Sequence, residues 1–216
     1  MNTATALAAY GVGGIVNLLA AWRGSELIRK ITKCLLMPVL VVAYLLGASP
    51  VLPWIIVALA LSWVGDVLLI RKEEPLFFRL GLVAFLLGHV GYVVGFLLLA
   101  EGLHLIALVI SILVAIPACY FMLRFVDASA QMRVPVAAYG IVIFAMSVAA
   151  VQLMLAHPMP GGILVFLGAL VFMYSDAQMA YLLFHQQPKH FNVITMIPYI
   201  VAQGLIVIGL IVPIAS

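Results

Sequence analysis

Residues 51–70 read VLPWIIVALALSWVGDVLLI, and RKEEP follows at 71–75. The first stretch holds a single charge, Asp66, and then Arg71, Lys72, Glu73, Glu74 and Pro75 arrive together. About 20 apolar residues closed by charges make a helix long enough to cross the hydrocarbon core of a bilayer. The rest of the chain repeats this pattern. Of its 216 residues, 67% are apolar and only 8% charged, with a mean hydropathy of +1.32. A water-soluble domain carries about 25% charged residues, so the solvent here is lipid. The net charge of +3 and pI near 9.0 rest on ten basic residues. That is too few for a nucleic-acid surface, and membrane orientation explains the excess better.

The same punctuation divides the chain into eight predicted spans: Thr3–Trp22, Ile31–Gly47, Val51–Ile70, Leu76–Ala100, Leu103–Phe125, Val134–Ala156, Ile163–Phe184 and Phe191–Ile214. The loops are too short for a soluble domain, so residues 1–216 read as one all-α membrane bundle. Arg23, Arg29, Lys30 and Lys33 fall between the first two spans. Arg71, Lys72 and Arg79 follow the third, Arg124 and Arg133 the fifth, and Lys189 the seventh. All ten basic residues thus share one side, which predicts both termini on the non-cytoplasmic face. The first span lacks the basic leader of a cleavable signal and reads as retained. Cys34 and Cys119 lie in apolar runs and form no metal or disulfide motif. Gly11, Gly13 and Gly14 form a GxGG, but no strand precedes it.

Spans two and six share a basic residue, a Pro-Val pair and a tyrosine: Lys33, Pro38, Tyr44 and Arg133, Pro135, Tyr139. Spans three and seven share a small residue before an aspartate: Gly65-Asp66 and Ser175-Asp176. This is either a parallel 4+4 internal repeat or the chance likeness of short apolar motifs.

Five of the seven acids sit in loops or at helix ends, where water explains them. Asp66 and Asp176 do not. A charge near the bilayer centre costs about 2.5–3.5 kcal/mol on insertion scales. A structural hydrogen bond between membrane helices returns under about 1 kcal/mol. A functional role is therefore the better reading for both. Two carboxylates meeting in a low-dielectric pocket do not both ionise easily. One protonated acid beside one carboxylate is the working pair of acid–base hydrolysis.

Span four places Gly81, Phe85, His89, Tyr92 and Phe96 on one stripe, with His89 near mid-span. Span eight does the same with Asn192, Thr195, Tyr199 and Gln203. Such stripes face the bundle interior, either to bond helices together or to line a site. Asn17 in span one has the same two readings. Lys33 opens span two, where snorkelling explains it, but it is also placed to meet a lipid phosphate. His185 and His190 lack metal-ligand spacing, and a metal held by Asp66, Asp176 and His89 is the minority reading.

These pieces together resemble the YhhN-like family of membrane lysoplasmalogenases. The matching residues are Lys33 with Pro38, Ser62-x-x-Gly65-Asp66, Gly81-x-x-x-Phe85-x-x-x-His89-x-x-Tyr92, Pro135 with Tyr139, Gly168-x-x-x-Phe172-x-x-Ser175-Asp176, and Tyr199 with Gln203. The resemblance implies eight helices and hydrolysis of the vinyl ether bond of lysoplasmalogens, with a lysophospholipid as substrate and no cofactor. It implies catalysis by Asp66, Asp176 and His89. It implies substrate contacts from Lys33, Ser62, Phe85, Tyr92, Tyr139, Phe172, Ser175, Tyr199 and Gln203, with the chain lying against Phe85 and Phe96. The expected location is a bacterial inner membrane. Two other classes stay open on the residues alone: a proton-coupled transporter and a metal-dependent intramembrane lipid hydrolase.

Overall fold

The computed structural model describes residues 2–102, 104, 105, 108, 109, 112, 113, 130–184 and 188–212. Among these the protein is helical without strands: α1 (Thr3–Arg23), α2 (Glu26–Gly47), α3 (Pro53–Leu68), α4 (Pro75–Ala100), α5 (Ala130–Ala156), α6 (Pro160–Phe184) and α7 (Phe191–Ile211). Among the described residues, seven helices are long and apolar enough to cross a membrane, and the chain is an integral membrane protein. The expected span Leu103–Phe125, with Cys119 and Arg124, falls largely or wholly outside the described residues, as does His185.

The helix limits follow local chemistry. Asn2 caps α1 by accepting the Thr5 N–H at 2.8 Å. Gly24 ends it with φ +73°, a left-handed conformation that glycine enters without penalty. Pro53 and Pro75 start α3 and α4, where a missing N–H costs nothing. Pro160 is likewise the first residue of α6, three residues before the expected Ile163. Helix α2 begins five residues before the expected Ile31, because Glu26 and Arg29 pair at 2.6 Å in its first turn.

Inside α2, Pro38 cannot donate to the Cys34 carbonyl one turn earlier. An orphan carbonyl is expensive in lipid. The Trp63 indole N–H on α3 donates to that oxygen at 2.9 Å, which fixes α2 against α3.

Helices α1 and α2, α3 and α4, and α6 and α7 form neighbouring pairs, and α5 bridges α4 and α6. Large buried side chains, among them Leu40, Tyr44, Ile55, Phe96, Phe172 and Ile206, fill the centre. Val12, Leu27, Leu76 and Ile141 are exposed, as a lipid-facing surface requires. Small residues set the closest approaches. A Cβ at Gly91 would lie 3.0 Å from the Trp54 carbonyl oxygen and 3.1 Å from the Ala58 Cβ, so α3 and α4 touch nearly backbone to backbone. At Gly168 it would lie 2.9 Å from the Ile206 nitrogen and 3.0 Å from the Ala202 oxygen. Gly168→Ala must therefore push α6 from α7. We expect a loss of about 1–3 kcal/mol, read as a lower thermal midpoint in detergent. An unchanged midpoint would mean that the two helices part freely.

Candidate active site

Two residues before the end of α3, Asp66 is 2% exposed and takes two partners from other helices. The Lys33 ammonium of α2 lies 3.3 Å from its Oδ1. The Tyr199 hydroxyl of α7 donates to its Oδ2 at 2.6 Å. A cation and a short O–H donor on one carboxylate are the arrangement that holds a negative charge in place.

Asp176, on α6, is differently furnished. The Tyr139 hydroxyl of α5 donates to Oδ2 at 2.9 Å. His89 of α4 brings Nε2 to 3.3 Å of the same oxygen. The other ring nitrogen, Nδ1, lies 2.6 Å from the Phe85 carbonyl oxygen. A carbonyl only accepts, so Nδ1 carries the hydrogen. Nε2 then meets a carboxylate, and two lone pairs do not face each other stably. One proton belongs between His89 and Asp176, on either the imidazole or the acid. His89 is 1% exposed, and its Nε2 has no aligned hydrogen bond.

Both aspartates line a cavity of about 480 Å³ that opens on the basic face of the bundle. Lys33, Phe85, Tyr139, Ser175 and Tyr199 also line it. Its mouth carries Arg29, Lys30, Lys72, Lys189 and His190, with Glu26 and Glu73. Behind the aspartates the aromatic rings meet edge to face: Phe85 with Tyr199 at 5.9 Å, Phe172 with Tyr199 at 5.7 Å, and His89 with Phe172 at 4.7 Å between centroids.

Six expected site residues are not on the cavity wall. His89 and Phe172 stand just behind it and reach the site through Asp176 and Tyr199. Ser62 gives its hydroxyl to the Ala58 carbonyl, as serines in helices often do, and sits against Gly88. Tyr92 donates to Gln203 Oε1 at 2.6 Å, a buried link between α4 and α7. Phe96, expected along the lipid chain, stacks on Tyr92 at 5.5 Å in the core. The α7 stripe accordingly divides: Asn192, Thr195 and Tyr199 reach the cavity, and Gln203 does not. Asn17 is structural, donating to the Arg29 carbonyl and to Thr32 Oγ1, each at 2.8 Å. The sequence reading missed the mouth residues Arg29 and Lys72, and it left Asn192 and Thr195 open between bonding helices and lining a site. Among the described residues no three His, Cys, Asp or Glu side chains gather as a metal-binding group.

Comparison with protein families settles the wider assignment: the YhhN family model matches residues 28–210. The chain belongs to the YhhN family. The match starts inside α2, so it covers the cavity residues named above except Glu26, and α1 stands wholly outside it. Curated proteins and solved structures yield no match. Membership in the YhhN family is consistent with the lysoplasmalogenase resemblance carried by the sequence.

Proposed function

We propose that this YhhN-family protein hydrolyses the vinyl ether bond of lysoplasmalogens, giving a fatty aldehyde and a glycerophospho-base. The observation that carries the reading is the pair of unequal carboxylates at the floor of one cavity with a basic mouth. Asp66 has a fixed cation and a phenol donor, and Asp176 has a phenol donor and the His89 Nε2 at 3.3 Å.

That inequality fits the reaction. Asp176, as the acid, gives its proton to the β-carbon of the vinyl ether, and the electron pair of the double bond forms the new C–H bond. The α-carbon and its oxygen become an oxocarbenium cation. The Asp66 carboxylate and the faces of the surrounding rings stabilise that cation. Water adds to the α-carbon and loses its proton to Asp66. The hemiacetal then collapses. Its hydroxyl proton returns to Asp176, and Asp66 protonates the leaving glycerol oxygen. Both carboxyls end as they began, with one water consumed. This is the logic of the paired carboxylates in glycosidases.

The reading includes eight crossings, with both termini on the non-cytoplasmic face of a bacterial inner membrane. Helices α4 and α5 support the count. His89 packs against Tyr139, and further along His157 Nε2 bonds the Leu99 carbonyl at 3.0 Å, so the two helices run parallel. An odd number of crossings separates parallel neighbours. The repeat has support as well. Asp66 takes Lys33 from the helix before it and Tyr199 from the last helix of the chain. Asp176 takes Tyr139 from the helix before it and His89 from α4, the last helix of the first half. Exchanging the halves exchanges the two sets of partners.

Purified protein is expected to release aldehyde from 1-alkenyl-glycerophosphoethanolamine and to leave the matching ester lysolipid intact. Cleavage of the ester, or proton flux in proteoliposomes without any product, would overturn the reading.

A further inference from the structure

Among the described residues, the cavity mouth holds a half-buried cation that no carboxylate matches. Arg29 pairs with Glu26 at 2.6 Å, Lys30 reaches the same carboxylate at 4.0 Å, and Lys33 is committed to Asp66 at 3.3 Å. Lys72 follows the short helical turn Leu69–Arg71 and is half-buried at the cavity edge. Its Nζ lies 3.8 Å from the centroid of the Phe191 ring, at the start of α7. Among the described residues no carboxylate lies within 4.0 Å of that nitrogen. Burial holds the ammonium below the usual lysine range. Glu73 works against this, and the charges of Lys33 and Arg29 add to it. A partly desolvated cation crowded by other cations is unfavourable until an anion joins it. Lys189, by contrast, is exposed on the same rim, where water satisfies it.

We propose that Lys72 is the phosphate anchor of the cavity, binding the phosphate group of a lipid whose glycerol end reaches down towards Asp66 and Asp176. The assignment rests on the hydrolase reading for its geometry, because phosphate and scissile bond must occupy one cavity. It adds the residue that selects phosphate-bearing ether lipids over neutral ones. The Phe191 ring covers one side of the ammonium by a cation–π contact and leaves its donors for an anion. The same chemistry would accept free phosphate.

Binding to the full chain in detergent separates these cases. The probes are a saturated 1-alkyl-glycerophosphoethanolamine, the matching 1-alkylglycerol and inorganic phosphate. Lys72→Gln is expected to weaken the phosphate-bearing lipid by about 10- to 100-fold, the worth of a charged hydrogen bond, and to leave the alkylglycerol unchanged. Lys72→Arg should keep most of the affinity, and Arg79→Gln, a charge away from the cavity, all of it. Competition by inorganic phosphate would support the anion chemistry and add a second occupant. Its absence, with the lipid effect intact, would assign the site to the headgroup. Equal weakening of both lipids, or no weakening of either, would overturn the proposal. The saturated ether cannot be hydrolysed, so failure of the vinyl ether reaction in the wild type would sink the hydrolase reading without touching this binding result.

Discussion

Asp176→Asn is expected to slow aldehyde release by about 10²–10⁴-fold, the usual contribution of a positioned proton donor. Protonating carbon is the difficult step of vinyl ether hydrolysis, and a carboxamide has no acidic proton to give. The local structure should survive the change. Asparagine still accepts from the Tyr139 hydroxyl, which meets Asp176 at 2.9 Å. Its N–H can donate to His89 Nε2, which otherwise lacks an aligned bond. Affinity for the saturated ether lipid should therefore match the wild type, and the loss should sit in turnover. Initial rates at saturating lysoplasmalogen, beside that affinity, make the measurement. A variant turning over within about tenfold of the wild type would remove Asp176 from the acid role.

Asp66 and Asp176 are legible from sequence for a simple reason. In apolar runs of this length an acid is costly, and no nearby water or lipid headgroup explains it. The helix ends are legible too, since Pro53, Pro75, Pro160 and Gly24 act through local backbone chemistry alone. What sequence conceals is rotation. Ser62 and Asp66 are four residues apart on one face of α3, yet Ser62 turns its hydroxyl to its own helix while Asp66 reaches the cavity. Tyr92 and Gln203 belong to the same motifs as His89 and Tyr199, but they bond each other at a level below the site. Periodicity assigns a face and says nothing of depth. Lys72 was hidden differently. A lysine at a span end has a sufficient explanation in solvent, and only the packing of Phe191 over it and the commitment of its neighbours show that it is unmatched. The Trp63 bond to the Cys34 carbonyl joins residues from two helices and has no signature in either.

Asp66→Asn should be the more damaging substitution to the protein itself. It removes the charge that faces Lys33, whose side chain is 13% exposed, and leaves a buried ammonium with only neutral acceptors. Breaking a buried ion pair from one side costs about 3–5 kcal/mol. A marked fall in the thermal midpoint in detergent is expected, together with loss of aldehyde release. Stability and chemistry then confound each other, and a second variant separates them. Lys33→Met combined with Asp66→Leu removes both charges, fills the same space with apolar atoms and frees the Tyr199 hydroxyl, which bonds Asp66 at 2.6 Å. Replacing a whole buried ion pair in this way is often neutral, and stabilises by about 1–4 kcal/mol in favourable cases. The double variant should regain most of the midpoint lost in Asp66→Asn and still release no aldehyde, because no carboxylate at position 66 then stabilises the oxocarbenium ion or takes the proton from water. If the double variant recovered turnover along with stability, Asp66 would be a structural counter-ion and the two-carboxylate chemistry would fail. If it stayed as unstable as the single variant, the ion pair would not be what Asp66 contributes to the fold.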